Sequence, residues 1–184
     1  MSGNSDAFTG LEAAIVLIAF VVVAAVFAYV ILGAGFFTTQ KAQETVYKSV
    51  EQSTTNLLLI GNIYGLASAP SSGIDEIKFS IGLAPGAPDM DLTKLKIVFS
   101  TQEIRPVILS LGDTATTTTF TAKEGGAGSG LDSMIPGQQV EIDFLVVAVP
   151  ENTRVNLEIR PPVGAALPFS KTTPATITNT SVLS

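Results

Sequence analysis

The sequence predicts an α+β chain: a long apolar helix at the N-terminus, a short break, then an antiparallel β-sandwich, in outline a lollipop. Three observations carry this. Ala13 to Phe37 is a run of 25 residues without a charge. Residues 61–73, GNIYGLASAPSSG, are rich in Gly, Ser and Pro. From Ile74 onward, short segments alternate apolar and polar residues between turn signals.

Composition narrows the function. A chain of 184 residues has room for one helical segment and one ordinary domain. Charged residues make up 14%, against roughly 25% in a typical soluble protein. The formal charge of −6 disfavours nucleic acid, which needs a basic stripe, so no nucleic-acid partner is expected. With no cysteine and no histidine, thiol nucleophiles, Cys or His metal sites, Ser-His-Asp triads and disulfides are excluded together. No acid, base and nucleophile can be assembled from what remains. The expectation is no enzyme, no catalytic residue, no metal and no cofactor.

Residues 1–7, MSGNSDA, read as a leader or N-terminal extension without the basic n-region of a secretory signal. The uncharged run exceeds the roughly 20 residues needed to span a bilayer and is too long for the core of a signal peptide. Helical spacing then continues. Val46, Val50, Ser53, Leu57 and Ile60 fall at steps of four and three, making a seam on one face. Lys41, Glu44, Lys48, Glu51 and Gln52 lie largely elsewhere, and Glu44–Lys48 has the favourable i,i+4 order. A helix over 8–62 would be about 80 Å long, followed by a linker over 63–73 and the sandwich over 74–184. Small residues at Ala24, Ala25, Ala28, Gly33, Ala34 and Gly35 permit close helix–helix approach. Such a helix suits a bilayer before assembly and a protein core afterwards, although a single-pass anchor with a helical stalk has the same pattern.

A resemblance adds to this reading. FTGLE, beginning at Phe8, looks like the start of a mature type IV pilin. IVLIAFVVVAAV (15–26) and LGAGFFTTQKAQETV (32–46) resemble archaeal flagellins, or archaellins, over about residues 7–65. The resemblance implies cleavage by a leader peptidase between Ala7 and Phe8, and polymerisation through the helix. The expected assembly residues are Phe8, Gly10, Glu12, Ile15, Ile18, Phe20, Val23, Phe27, Val30, Phe36, Val46, Val50 and Leu57. Implied partners are further copies in a helical homopolymer, minor archaellins, the membrane before assembly, the peptidase and the basal machinery of the archaellum. Two departures stand out. Archaellins mostly carry glycine where Glu12 falls, and the leader lacks the basic residues that the family carries before its cleavage site. Lys41 and Lys48 follow the run with no basic residue before it, which alone favours a cytoplasmic C-terminal side; the resemblance requires the opposite orientation.

In the second part, alternation predicts strands at 74–83, 94–100, 104–111 (with Pro106 marking an edge or bulge), 116–122, 138–149, 153–161 and 174–183. Six or seven strands over this length suggest an immunoglobulin-like sandwich. Residues 124–130, EGGAGSG, read as a flexible loop, since no Gly-Lys-Ser/Thr follows to make a phosphate loop. RPPVGAALPFSKTTP (160–174) resembles archaellin C-terminal regions less specifically.

Few residues invite chemistry. Glu12 is costly to bury unpaired and could pair with a new amine at Phe8 of a neighbouring copy. Asp89 and Asp91 could supply oxygens to Ca²⁺ but read more simply as a solvated loop. Asp75, Glu76, Asp113, Asp132, Glu141 and Asp143 are scattered. Asn179-Thr180-Ser181 is an N-glycosylation triplet, and Thr116–Thr119 could carry O-glycans or simply favour a strand. The function expected is a structural subunit of an extracellular swimming filament whose precursor sits in the cytoplasmic membrane. A type IV adhesion pilin and a membrane-anchored binding sandwich are the alternatives.

Overall fold

The computed structural model describes residues 3–69, 72–125, 128 and 130–184, with side chains described from Gly10 onward. It divides into two compact units, Met1–Lys48 and Ser49–Ser184.

The first unit is almost wholly helix. Helix α1 spans Gly3–Thr54, 52 residues, or about 78 Å at 1.5 Å per residue. Its many β-branched residues are mediocre helix formers in water. In hydrocarbon, however, only a helix satisfies each backbone group within one segment. Past the apolar run the hydroxyls do the same locally: Thr38 Oγ1 donates to Ala34 O (2.8 Å) and Thr39 Oγ1 to Gly35 O (2.9 Å). On the polar face Glu44 receives Lys41 at 2.7 Å and Lys48 at 2.8 Å.

Helix α1 ends at Thr54, short of the boundary expected at 62. Ser53, Thr54, Thr55 and Asn56 are a run of weak helix formers; Thr54 Oγ1 donates to Val50 O (2.9 Å) and Thr55 Oγ1 to Glu51 O (2.7 Å) in the last turn. The chain then enters strand β1, Leu57–Leu66, where the last helical turns and the start of a linker were expected. The apolar run Leu57–Ile60 fits either state by periodicity. Pairing decides it, because β1 lies between β2 (Ile74–Leu83) and β11 (Thr180–Leu183). A bulge between Ile60 and Tyr64 absorbs the irregular pattern, with Gly61 at φ +77°.

The remaining strands are β3 (Met90–Asp91), β4 (Lys96–Thr101), β5 (Val107–Leu111), β6 (Thr119–Glu124), β7 (Ser133–Met134), β8 (Gln139–Val149), β9 (Arg154–Arg160) and β10 (Leu167–Thr172). Nine run in the order β10-β9-β4-β5-β6-β8-β2-β1-β11. The order doubles back into a sandwich: β6-β8-β2-β1-β11 form one sheet and β10-β9-β4-β5 the other. Between β5 and β6 the join is a short parallel ladder, Ser110↔Thr119 and Leu111↔Phe120. At the other margin Thr172 N donates to Ser184 O (2.7 Å) and Ser184 N to Thr172 O (3.1 Å), closing an edge that would otherwise be open to pairing.

Expected and observed strands agree at 74–83, 138–149 and 153–161. Differences have local causes. Strand β5 begins only after Pro106, which has no N–H to give. Thr116 builds a turn rather than a strand, its Oγ1 accepting from Thr119 N (3.0 Å), so β6 starts at Thr119. Strand β10 was not expected, and β11 is confined to the end of 174–183. Of the expected loop 124–130, residues 126, 127 and 129 lie outside the described residues.

The core is continuous across the sandwich, with Phe79, Phe120, Phe144, Ile77, Ile97 and Ile159 among its fully buried members. Phe99 (β4) meets Phe144 (β8) at 5.8 Å, and Phe79 (β2) meets Phe169 (β10) at 5.8 Å, both edge-on. Buried polar groups are paired. Asp143, 8% exposed, accepts from the Thr121 hydroxyl and lies 3.6 Å from Lys123. Gly164, at φ +101°, leaves no room for a side chain: an added Cβ would fall 2.3 Å from Thr55 O.

Candidate assembly surface

The expected assembly residues fall into three groups. Gly10, Glu12, Ile15, Ile18, Phe20, Val23, Phe27, Val30, Phe36, Val46 and Val50 all lie exposed on α1. Phe20 is 74% exposed and Tyr29, which was not singled out, is 80%. Phe8 is helical in backbone, but its side chain and that of Ala7 lie outside the described residues. Leu57 is a correction. It is 5% exposed in the sandwich core, so it is not on the helix surface; β1 pairing carries it inward.

Among the described residues of α1 from Gly10 on, none is buried up to Ser53. A surface patch beyond a few hundred Å² of apolar area marks an interaction site, and here the apolar residues surround the helix. Between Gly10 and Thr54 the helix is long and apolar enough to cross a membrane. Below Phe37 the surface becomes two-sided, with Val46 and Val50 on one face and the Lys41–Glu44–Lys48 cluster on another. No reaction can be drawn from such a surface; what it can do is bury itself against lipid or other helices.

In the sandwich, the carboxylates singled out from the sequence do not converge. Asp91 Oδ1 accepts from Thr93 N (3.0 Å), capping the 3-10 turn Leu92–Lys94, while Oδ2 pairs with Lys94 (2.8 Å). These hydrogen bonds hold its carboxyl down at about 2. Asp75 accepts from Ser68 N (3.0 Å), which lowers its pKa. Among the described residues no three potential metal donors cluster. Asn179 is exposed at the entry to β11, but Ser181 of the same triplet is buried and its hydroxyl accepts from Thr178 N (3.0 Å).

The likenesses to known proteins bear on the same surface. A profile of archaeal-type flagellin matches residues 7–171. Probable flagellin 1 of Archaeoglobus fulgidus is 36% identical over 194 residues, covering 98% of this chain and 96% of that protein. The 24 kDa flagellin of Methanospirillum hungatei is 88% identical over 32 residues, all of that sequence and 17% of this chain. Among solved structures, the archaeal flagellum of Methanospirillum hungatei strain JF1 matches with a TM-score of 0.77 at 34% identity, over 95% of this chain and 99% of that one. The crystal structure of archaeal flagellin FlaB1 from Methanocaldococcus jannaschii, at 16% identity and a TM-score of 0.58 over 70% of this chain, agrees in fold.

Proposed function

The chain belongs to the archaeal-type flagellin family and is a structural subunit of an archaellum filament; from that premise we propose how its parts divide the work. Helix α1 is the polymerisation element. Its exposed residues Ile15, Ile18, Phe20, Val23, Phe27, Val30 and Phe36 pack with the same helix of other copies, and Val46 and Val50 extend the contact along one face. The sandwich forms the wall of an extracellular filament. The observation that carries this is the exposure of every described apolar side chain of α1 from Leu11 to Val50, while the sandwich has a buried core of its own.

Before assembly the same helix holds the subunit in the cytoplasmic membrane with the sandwich outside. A leader peptidase cuts between Ala7 and Phe8, and the basal machinery of the archaellum adds the subunit to the polymer. The new amine at Phe8 then meets Glu12 of a neighbour, pairing a carboxylate that would be costly to bury alone. Asn179 is a glycan acceptor, and minor archaellins can enter the same lattice. The role is mechanical: the subunit needs no catalytic centre, cofactor or metal, because power comes from a separate motor. Neither adhesion pilin nor anchored binding module is favoured, since the likeness to flagellins extends through most of the sandwich as well as the helix.

Shearing filaments from cells and measuring the intact mass and N-terminus of this chain tests the proposal. A filament subunit starting at Phe8 is expected. A subunit starting at Met1 removes the cleavage site and the Glu12 pairing. A chain found only in membranes removes polymerisation.

A further inference from the structure

The two sheets of the sandwich carry opposite charge. Strands β4, β9 and β10 hold Lys96, Arg154, Arg160 and Lys171 against the single acid Glu158. Strands β2, β6 and β8 hold Asp75, Glu76, Glu124, Glu141 and Asp143 against Lys78 and Lys123. On the outer faces the imbalance is smaller but keeps its sign: by register Lys96, Arg154 and Arg160 stand against Glu158 on one, and Glu76, Glu141 and Asp143 against Lys78 and Lys123 on the other. Lys96 and Arg160 are direct cross-strand neighbours, a like-charged pairing that is unfavourable by itself. Arg160 is answered by Glu158 at 2.9 Å, but Lys96 makes no salt bridge among the described residues. On the opposite sheet Glu76 is bound to Lys78 at 3.1 Å, and Glu141, cross-strand from Lys123 and within electrostatic reach of Lys78, makes no salt bridge among the described residues.

Each face also has an apolar centre beside its charges. On the basic sheet Ile108 (60% exposed) lies opposite Val98, and Glu158 and Pro168 continue that row. Val98, Glu158 and Pro168 of that row floor a depression of about 350 Å³ together with Ser100, Asn156 and Ser170. On the acidic sheet Leu145, opposite Glu76, and Val147 stand exposed along β8. Apolar centre and charged rim are the parts of a protein–protein contact.

We propose that the basic outer face (Lys96, Val98, Ile108, Arg160) of one copy docks on the acidic outer face (Glu76, Glu141, Leu145, Val147) of the next. Charge complementarity selects a second copy as the occupant, because both halves of the contact are present on every chain. The contact is heterologous, front to back, and a heterologous contact that does not close generates an open helical polymer. This rests on the filament reading and gives it a lateral contact independent of α1. It explains why Lys96 can stand beside Arg160, which Glu158 already answers: an acid of the neighbour completes Lys96.

The test uses wild-type sheared filaments first. A zero-length carbodiimide joins amines to carboxylates already in contact, and the linked peptides are read by mass spectrometry. Lys96 joined to Glu76 or Glu141 is expected, and only two copies can supply that link, since the faces point away from each other within one sandwich. Lys96 joined only to Glu158, to a different protein or to nothing, while other inter-copy links form, overturns the proposal. Full-length variants in cells give the second measurement. Lys96→Glu with Arg160→Glu should lower the filament yield at least tenfold with the membrane level of the chain unchanged. Adding Glu76→Lys with Glu141→Lys should restore it to within about threefold. Unchanged yield in the first variant, or no restoration in the second, also overturns it. If the variants are lost from the membrane altogether, the carbodiimide result decides. Wild-type chain absent from filaments would instead defeat the filament reading itself.

Discussion

Helix α1 and the sandwich solve the same problem in opposite ways. In the sandwich, apolar side chains point inward and the buried polar groups find partners: Asp143 has Thr121, Thr173 Oγ1 donates to Pro150 O (2.7 Å), and Ser181 is bound to Thr178. The apolar stretch of the helix has its backbone bonds, and among the described residues side-chain bonds begin only past it, at Thr38, Thr39 and the Lys41–Glu44–Lys48 cluster. Its described phenylalanines, valines and isoleucines are all exposed. One part is a finished fold and the other is half of an interface. The lesson is that a buried-core rule applied to a single chain fails for an element whose apolar side chains are all exposed.

If that contrast is right, substitutions in the two parts should separate assembly from folding. The largest effect expected is from Phe27→Asp on α1. A charge at the centre of an apolar span costs roughly 2.5–3.5 kcal/mol even on the mildest scale, and every copy would carry it. Filament yield should fall at least a hundredfold, while limited proteolysis of the detergent-solubilised chain still returns an intact sandwich. The converse is Phe144→Ala, which removes the ring that bridges Phe79 and Phe99. It should destabilise the sandwich by about 3–5 kcal/mol, seen as a lower denaturation midpoint in detergent, without altering membrane insertion of α1.

Smaller effects sharpen the contrast further. Asp143→Ala strands the Thr121 hydroxyl in a buried site and should lower stability by about 1–3 kcal/mol, again in the sandwich alone. The smallest effect is a pH dependence from Asp91. Its folded pKa is depressed to about 2 from 3.8, so its stabilising contribution is complete above the unfolded value and is lost as pH falls through that window. Asp91→Asn should flatten the acid limb of the unfolding curve between about pH 4 and pH 2. No part of that limb should depend on α1.

How much of this was legible in the sequence follows the same division. The apolar surface of α1 could be read directly, because 25 uncharged residues leave no polar face to choose. Strand β2 was legible through its unbroken alternation, and β8 through its apolar density. The helix end was not: Leu57 and Ile60 continue the three-and-four spacing of Val46 and Val50, and only their partners on β2, Leu83 and Ser80, convert them to strand. Strand β10 was hidden by Pro168 and by a pattern with no fully buried position, although Phe169 proves to be an inter-sheet contact of the core. The charge split between sheets was also out of reach. Lys96 and Arg160 are far apart in sequence and become neighbours only through the β4/β9 register.

The most direct measurement is radical footprinting of intact filaments, read at Phe20, Phe27 and Phe36 on the helix and at Phe79, Phe120 and Phe144 in the sandwich. The account predicts that all six are protected equally in the filament, because neighbouring copies cover what a single chain leaves exposed. Helix phenylalanines that label freely in an intact filament, while the three sandwich phenylalanines stay protected, would contradict it.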